Sequence, residues 1–226
     1  GADNRKVTID EEHKVIYPNL SSIKGFGEGV ANSLYDLGQA KYNSFIEVIN
    51  TLKQNHFNKT VIDKLIKINY FVEFGDANTL LETVKYYELL NGKKQLSKEK
   101  AIEYHISSDL LLKYGHETKT LYNQLDSEQL LIESIKNIPY RELSLKEKLD
   151  NQRNVLGIVS YVNVKVNKRL YYVSDLDVKK SIVNIQLYEI YSGKTQKVKM
   201  WTTQYKKNPF DEGDILYLKS VEKKHK

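Results

Sequence analysis

A chain of 226 residues, of which 40% are hydrophobic and 28% are charged, is long enough for one large domain or two ordinary ones. It has no cysteine and no apolar run approaching about 18 residues, which excludes disulfide scaffolds, thiolate metal sites and helical membrane spans, and favours the cytoplasm. The formal net charge of +6 is unevenly distributed. Residues 151–226 hold 15 lysines and arginines against 7 acidic residues, whereas residues 1–150 hold 20 lysines and arginines against 22 acidic residues. The last third is therefore predicted to attract a polyanion.

The first 150 residues predict a short β-hairpin followed by helices. Weak alternation over residues 6–16 indicates the hairpin, and from Leu20 the apolar residues recur at helical spacing between glycine breaks. The apolar faces of four predicted helices are Val30, Leu34 and Leu37; Phe45, Val48, Ile49 and Leu52; Val61, Ile62, Leu65 and Ile66; and Leu80, Leu81 and Val84. Residues 91–150 keep a helical pattern with a more polar composition, and we expect peripheral helices or a connector there.

From Gly157 the hydrophobic pattern changes to a period of two, which is typical of β-strands. The runs are rich in valine, isoleucine, tyrosine and threonine, and polar turns separate them. The predicted strands are residues 157–166, 170–176, 182–191, 196–203 and 214–222. Five short strands in one stretch predict a small barrel, because closing the sheet removes its exposed edges.

The sharpest motif is Gly25-Phe26-Gly27, preceded by an apolar residue and followed by a helical pattern with the small Ala31. It is typical of a helix-hairpin-helix, in which two glycines permit positive φ and leave backbone N–H groups accessible at a helix start. Such amides and the helix dipole attract a DNA phosphate. The predicted DNA-binding residues here are Lys24, Gly25, Phe26, Gly27, Glu28 and Gly29, with Phe26 pointing inward to anchor the turn. The alternative is a glycine-rich turn that binds no ligand.

A second copy of this motif is predicted over residues 61–75, because such hairpins usually occur in pairs. Asn69 stands where the turn glycine would be, and asparagine is the next-best residue for a left-handed backbone. Lys64 and Lys67 supply positive charge in this segment. Lys64, Lys67 and Asn69 therefore complete the predicted duplex-binding set.

The β-rich third predicts a site for single-stranded DNA. Alternation turns Lys197, Lys199 and Trp201 outward, on the face that also receives Tyr188. Lysines neutralise phosphates and aromatic rings stack on bases, as a single strand requires. With Lys165 extending the groove, the predicted single-strand-binding residues are Lys165, Tyr188, Lys197, Lys199 and Trp201. The alternative is that the aromatic residues pack in the barrel, the lysines are merely solvated, and the barrel docks a protein.

Several segments occur in the same order as in one known family. They are residues 23–29 (Ile-Lys-Gly-Phe-Gly-Glu-Gly), Leu65-Ile66-Lys67 with Phe71, Gly75, Leu80-Leu81, and residues 146–157 with Glu147 and Leu156-Gly157. They resemble the C-terminal part of the bacterial DNA polymerase III alpha subunit. The resemblance implies a tandem helix-hairpin-helix that grips duplex DNA, followed by an OB-fold near the single-stranded template. Two departures are that Asn69 replaces the family's second hairpin glycine and that the family's sliding-clamp motif has no clean counterpart. The family's polymerase carboxylates belong to an upstream palm region, which nothing here matches.

The predicted fold class is α+β, with a helix-hairpin-helix domain at 1–90, a helical connector at 91–150 and an OB-type barrel at 151–226. The predicted function is that of a non-catalytic DNA-binding region of a replicative DNA polymerase, a nucleotidyltransferase of which this chain is expected to be a piece, since its only methionine is Met200. We expect no catalytic residue, metal or cofactor. The expected partners are duplex DNA, single-stranded DNA and other replication proteins, with no membrane and a monomeric chain. Two alternatives are a protein-docking module of the replication machinery and a small helix-hairpin-helix DNA-repair protein.

Overall fold

Helices dominate the first 142 residues of the computed structural model, and a four-stranded sheet dominates the remainder. The structure describes residues 5–11, 15–17, 19–23 and 25–219. These residues divide into two compact units: the described residues up to 142 except Ser22 and Ile23, and residues 143–219 together with those two. The α+β class predicted from the sequence is confirmed at this level.

The first unit begins with the predicted β-hairpin. Its strands β1 (Thr8–Asp10) and β2 (Val15–Tyr17) are antiparallel, with Ile9 opposite Ile16. The four predicted helices follow as α1 (Glu28–Leu37), α2 (Phe45–Gln54), α3 (Lys59–Lys67) and α4 (Ala77–Leu90), with 3-10 turns at Leu20–Ser22 and Val72–Phe74. The apolar stripes that predict these helices form the core, where Ile49, Leu52 and Leu65 are fully buried.

The segment after α4 contains a small sheet that the sequence pattern does not predict. In chain order it holds β3 (Gln95–Ser97), α5 (Lys98–Glu103), α6 (Ser108–Tyr114), β4 (His116–Glu117), β5 (Leu121–Asn123) and α7 (Ser127–Lys136). The strands are antiparallel in the order β3-β5-β4, and each is too short to show a period of two. Because α7 packs on α4, this segment lies in the first unit rather than forming peripheral helices alone. The domain limits at 1–90, 91–150 and 151–226 stay predictions.

The second unit is a helix followed by an antiparallel sheet. Its elements are α8 (Leu145–Leu156), β6 (Leu170–Val178), β7 (Ile182–Glu189), β8 (Thr195–Trp201), α9 (Thr202–Tyr205) and β9 (Ile215–Tyr217). The sheet order β8-β7-β6-β9 is that of a Greek key, in which the fourth strand returns beside the first. One face buries Val173, Val183 and Leu187, and α8 covers one end of the other face, where Leu149 packs on Tyr172.

The strand predicted over residues 157–166 is a loop in the structure. Side chains accept hydrogen bonds that a strand ladder would otherwise use: Gln152 Oε1 accepts from the N–H groups of Ser160 and Tyr161 at 2.9 and 2.8 Å. Asn163 Oδ1 likewise accepts from the Lys165 N–H at 3.0 Å. Of the last predicted strand, β9 forms residues 215–217, and residues 220–222 lie outside the described residues. Across residues 143–219 the sheet is open at β8 and β9, so the five-stranded barrel is not confirmed.

Candidate nucleic-acid interface

The first hairpin, residues 23–29, forms the turn into α1. Gly25 has φ +88°, in the left-handed region that glycine reaches without strain, whereas Gly27 is extended at φ −97° and ψ 175°. The sequence motif predicts that both glycines permit positive φ. In the structure only Gly25 adopts it, and Gly27 does not. Phe26 is 5% exposed, which confirms that it points inward. Lys24 lies outside the described residues.

The N-terminus of α1 begins without a side-chain cap from any described residue. Its N-cap is Gly27, whose carbonyl accepts from the N–H groups of Val30 and Ala31 at 3.1 and 3.2 Å. Each helix from α2 to α8 instead begins with a capping side chain, namely Ser44, Asn58, Asp76, Ser97, Ser107, Asp126 and Ser144. The amides of Glu28 and Gly29 precede the first intrahelical hydrogen bond of α1. Gly27, Glu28 and Gly29 are exposed, and a Cβ on Gly27 or Gly29 would meet no described atom within 4 Å, so no described side chain crowds the start of α1.

Lys64 brings a positive charge to this turn from the last turn of α3. A Cβ on Gly25 would lie 3.2 Å from Lys64 Nζ, and the same Nζ is 6.0 Å from the centroid of the Phe26 ring. An anion at the start of α1 would thus meet both backbone amides and an ammonium group. Glu28 is exposed in the first turn of α1 and opposes such an anion, while Lys67 is half-buried three residues after Lys64.

The second hairpin, the turn between α3 and α4, has a different hydrogen-bonding pattern at its start. Asn69 has φ +60°, which confirms the left-handed conformation predicted for it. It ends α3 in a Schellman motif, because the N–H groups of Asn69 and Tyr70 donate to the carbonyls of Ile66 and Leu65 at 2.9 and 3.0 Å. Asn69 is therefore a helix-terminating residue.

A carboxylate occupies the helix start that follows this second turn. Asp76 Oδ1 accepts from the N–H groups of Asn78 and Thr79, both at 3.0 Å, and Asp76 Oδ2 accepts from the Thr79 hydroxyl at 2.6 Å. Burial raises the pKa of Asp76, but these hydrogen bonds outweigh burial and leave the pKa below its ordinary value. A negative charge thus sits where a phosphate would bind. Among the described residues, no side chain caps the helix start of the first hairpin, whereas Asp76 caps that of the second.

Strand β8 presents the predicted lysines and tryptophan together. Lys197, Lys199 and Trp201 are exposed and alternate with the half-buried Val198 and Met200, as predicted. Trp201 is 54% exposed. Among the described strands β8 pairs with β7 alone, so it is an edge strand. We call the surface of Lys197, Lys199 and Trp201 the β8 face.

Two other residues predicted to bind single strands lie elsewhere. Tyr188 is 3% exposed, packs in one cluster with Leu149 and Tyr172, and donates its hydroxyl to the Tyr161 carbonyl at 3.1 Å. It points to the same side of the sheet as the β8 face, but α8 covers that end. The expectation that Tyr188 stands beside Trp201 on an accessible surface is therefore corrected. Lys165 is exposed in the 157–166 loop instead of on a strand.

The accessible part of this sheet face changes its charge from strand to strand. Lys199 of β8 lies opposite Asn184 of β7. Asn184 lies opposite Asp177 of β6, and its Nδ2 donates to Asp177 Oδ2 at 3.1 Å. Lys179 Nζ lies 3.2 Å from Asp177 Oδ2 and offsets that carboxylate, so the net positive charge of this face lies at the β8 edge, where a polyanion is attracted.

Comparison with known proteins adds one finding about the helical region. Residues 3–80, roughly a third of the chain, match a family model described as a helix-hairpin-helix motif. The match covers both hairpins and supports a DNA-binding domain there. Searches of curated proteins and of solved structures found no match. Within the described ranges, no helix has the length and apolar character that crossing a membrane requires, and no three His, Cys, Asp or Glu side chains are grouped to hold a metal ion.

Proposed function

We propose that the helix-hairpin-helix region binds duplex DNA by a phosphate at the first hairpin. The observation that carries this proposal is the uncapped start of α1 at Gly27, beside the left-handed Gly25 and within reach of Lys64 Nζ. Backbone amides and a helix dipole bind phosphate without reading bases, so the contact holds duplexes of any sequence. The second hairpin supports the first through Lys64, while Asp76 keeps phosphate away from α4.

Replacing Gly27 with valine tests this contact directly. The extended backbone at Gly27 accommodates a β-branched residue and a Cβ there meets no described atom within 4 Å, so the fold should survive the change with a modest cost at the N-cap of α1, while the side chain blocks the phosphate. We expect duplex affinity to fall by about 10-fold to 150-fold, the range for losing hydrogen bonds to a charged group. Fluorescence anisotropy of a labelled duplex measures the affinity, and circular dichroism checks the fold.

Two variants in the second hairpin supply a control and a second test. Asn69→Gly changes a turn residue that ends α3 away from the open amides, and should leave duplex affinity unchanged. Lys64→Gln should weaken binding and reduce the slope of log affinity against log salt by about 0.9. Unchanged affinity in a folded Gly27→Val variant refutes the proposed contact.

We also propose that the second unit is an OB-type module that holds single-stranded DNA. Its Greek-key strand order suits such a fold, which binds oligonucleotides on the face of its second and third strands. In the second unit these strands are β7 and β8. The β8 face then provides Trp201 for stacking and two lysines for phosphates.

Trp201 makes this second site measurable, because it is the only tryptophan in the chain. Binding of an oligonucleotide should change its fluorescence, and Trp201→Ala should weaken binding by about 5-fold to 150-fold through lost stacking. Since Trp201 is 54% exposed, its removal should leave the sheet folded. Lys197→Gln and Lys199→Gln should each lower the salt slope by about 0.7. A single strand that binds without altering Trp201 fluorescence places the site elsewhere.

We propose finally that both contacts serve a replicative DNA polymerase in the cytoplasm, as in the DNA polymerase III alpha subunit that the chain resembles. The first hairpin would hold the duplex product and the β8 face the template strand, with nucleotidyl transfer in a separate palm. The chain alone then extends no primer and cuts no DNA. Primer extension above a no-protein control, using material free of host polymerase, would contradict this assignment.

A further inference from the structure

Residues 77–123 have the order of elements of a helix-turn-helix with a β-hairpin behind it. After α4, strand β3 leads into α5, a four-residue turn at 104–107 joins α5 to α6, and the hairpin of β4 and β5 follows at once. The late strand β5 lies between β3 and β4 in the sheet, so the hairpin folds back onto the start of the helix pair. A turn of three or four residues between two helices is one feature of helix-turn-helix units that bind DNA.

The turn between α5 and α6 is fixed by local hydrogen bonds and burial. His105 is left-handed at φ 52°, and the N–H groups of His105 and Ile106 donate to the carbonyls of Ile102 and Ala101 at 3.0 and 2.9 Å. Ser107 then caps α6 by accepting from the Leu110 N–H at 3.3 Å. Ala101 and Ile106 are buried, so the path of the chain from one helix to the next is set.

Helix α6 presents one continuous face to solvent. Ser108, Asp109, Leu112 and Lys113 are exposed at helical spacing, while Leu111 is buried. These are residue types that read base edges: lysine donates to guanine, aspartate accepts from cytosine, serine does either, and an apolar side chain contacts the thymine methyl group. An α-helix with its side chains is about 10–12 Å in diameter and so fits a major groove about 12 Å wide; with 7 residues, α6 is about 10 Å long.

The hairpin behind α6 ends in a tight, exposed turn at residues 118–120. The Thr118 N–H and hydroxyl both donate to the Leu121 carbonyl, at 2.8 and 2.7 Å, and Lys119 is exposed at the tip. Lys98 of α5 pairs with Glu117 of β4, which ties the hairpin to the helix pair. The tip therefore stands as a wing with a positive charge suited to a phosphate.

We propose that residues 95–123 form a winged helix-turn-helix whose helix α6 reads bases in the major groove of duplex DNA, with the 118–120 turn against the adjacent backbone. The inference rests on the proposed function, because the contact at α6 and the contact at the first hairpin both require duplex DNA. The first hairpin holds phosphates without regard to sequence, and α6 adds a preference for particular bases. A protein partner fits this face less well, because protein interfaces are depleted of charge at their core and Leu112 lies between Asp109 and Lys113.

Selection from a library of random duplexes with the full chain tests this proposal. The chain should enrich a short sequence and bind it about tenfold more tightly than a scrambled duplex. Leu112→Ala should remove most of that preference while urea unfolding shows a stable fold. Ile102→Ala is the matched control: Ile102 is an exposed apolar residue of α5, at 74% against 50% for Leu112, and its loss should leave the preference intact.

The outcomes separate this inference from the duplex contact of the first hairpin. Gly27→Val should weaken binding to the selected and scrambled duplexes alike and keep their ratio. The inference is overturned if the chain selects no sequence, if Leu112→Ala keeps the full preference, or if Ile102→Ala reduces it equally. Absence of binding to every duplex overturns the proposed function as well.

Discussion

Gly115 is the residue whose replacement should most directly disturb the support of α6. It follows α6 with an extended backbone at φ −166°, so glycine is needed there for space and not for its conformational freedom. A Cβ would lie 2.5 Å from Leu125 Cδ2 and 3.0 Å from the Asn123 carbonyl oxygen. Leu125 is 1% exposed, so other atoms of the core surround its side chain. We expect Gly115→Ala to lower the free energy of unfolding by about 1–3 kcal/mol, towards the upper end because one obstacle is backbone.

Urea titration followed by far-UV circular dichroism measures this change, since most helices lie in the first unit. Trp201 fluorescence follows the second unit in the same titration. Gly27→Ala is the comparison substitution, because its Cβ would meet no described atom within 4 Å; its free energy of unfolding should fall by no more than about 1 kcal/mol, the effect of a poorer N-cap at α1. Adding Leu125→Val to Gly115→Ala should recover part of the loss, because it shortens the side chain in the way.

A Gly115→Ala variant as stable as wild type would refute the close approach of α6 to β5. The exposed face of α6 would then lack the rigid backing that base reading requires.

Two further predictions concern backbone conformation and pH. His56 and His105 are left-handed at φ 63° and 52°, so His56→Gly and His105→Gly should each raise the free energy of unfolding in urea by about 1 kcal/mol, and equal stability would contradict that conformation. Asp76→Ala should lower the free energy of unfolding at pH 7 by about 1 kcal/mol by removing the cap of α4. Burial raises the pKa of Asp76, but its hydrogen bonds lower the pKa by more, so this stabilisation is present above about pH 4 and is lost as the pH falls through the lowered pKa. The free energies of unfolding of wild type and Asp76→Ala should therefore converge in acid. A difference that stays constant with pH would contradict an ionised cap.

Local periodicity predicts the parts of the fold that have one buried face. Helices α1 to α4 follow from apolar residues at helical spacing, because burying that stripe is what stabilises each helix. The β8 face follows from alternation for the same reason. Phe26 is predictable as well, since a large apolar residue between two glycines in a turn is stable only when it points inward.

Hydrophobic periodicity does not predict left-handed helix ends that lack a glycine. His56 and His105 end α2 and α5, and no glycine marks either position. The usable signal is the large apolar residue that follows each histidine, Phe57 and Ile106, because its N–H donates back to the helix and its side chain is buried. Asn69 followed by the half-buried Tyr70 repeats the hydrogen-bonding part of this pattern at the end of α3.

Tyr188 shows that alternation along a strand does not predict whether a sheet face is covered by another element. The period places Tyr188 on the correct side of β7, but whether that side is open depends on α8, an element distant in the sequence. The packing of Leu149 on this end of the sheet has no local signature. Site residues on half-covered sheet faces are for this reason the least predictable.

Helix α4 takes part in both halves of the first unit. It packs on α2 and α3 on the hairpin side and on α7 on the other, and it buries Leu80, Val84 and Leu90. Its amides should therefore exchange with solvent hydrogen only when the whole unit opens, and the two halves should form one cooperative unit. A ligand held at the first hairpin would then protect amides as far away as β5, and a ligand at α6 would protect the hairpin, because each ligand stabilises the whole cooperative unit by its own binding free energy.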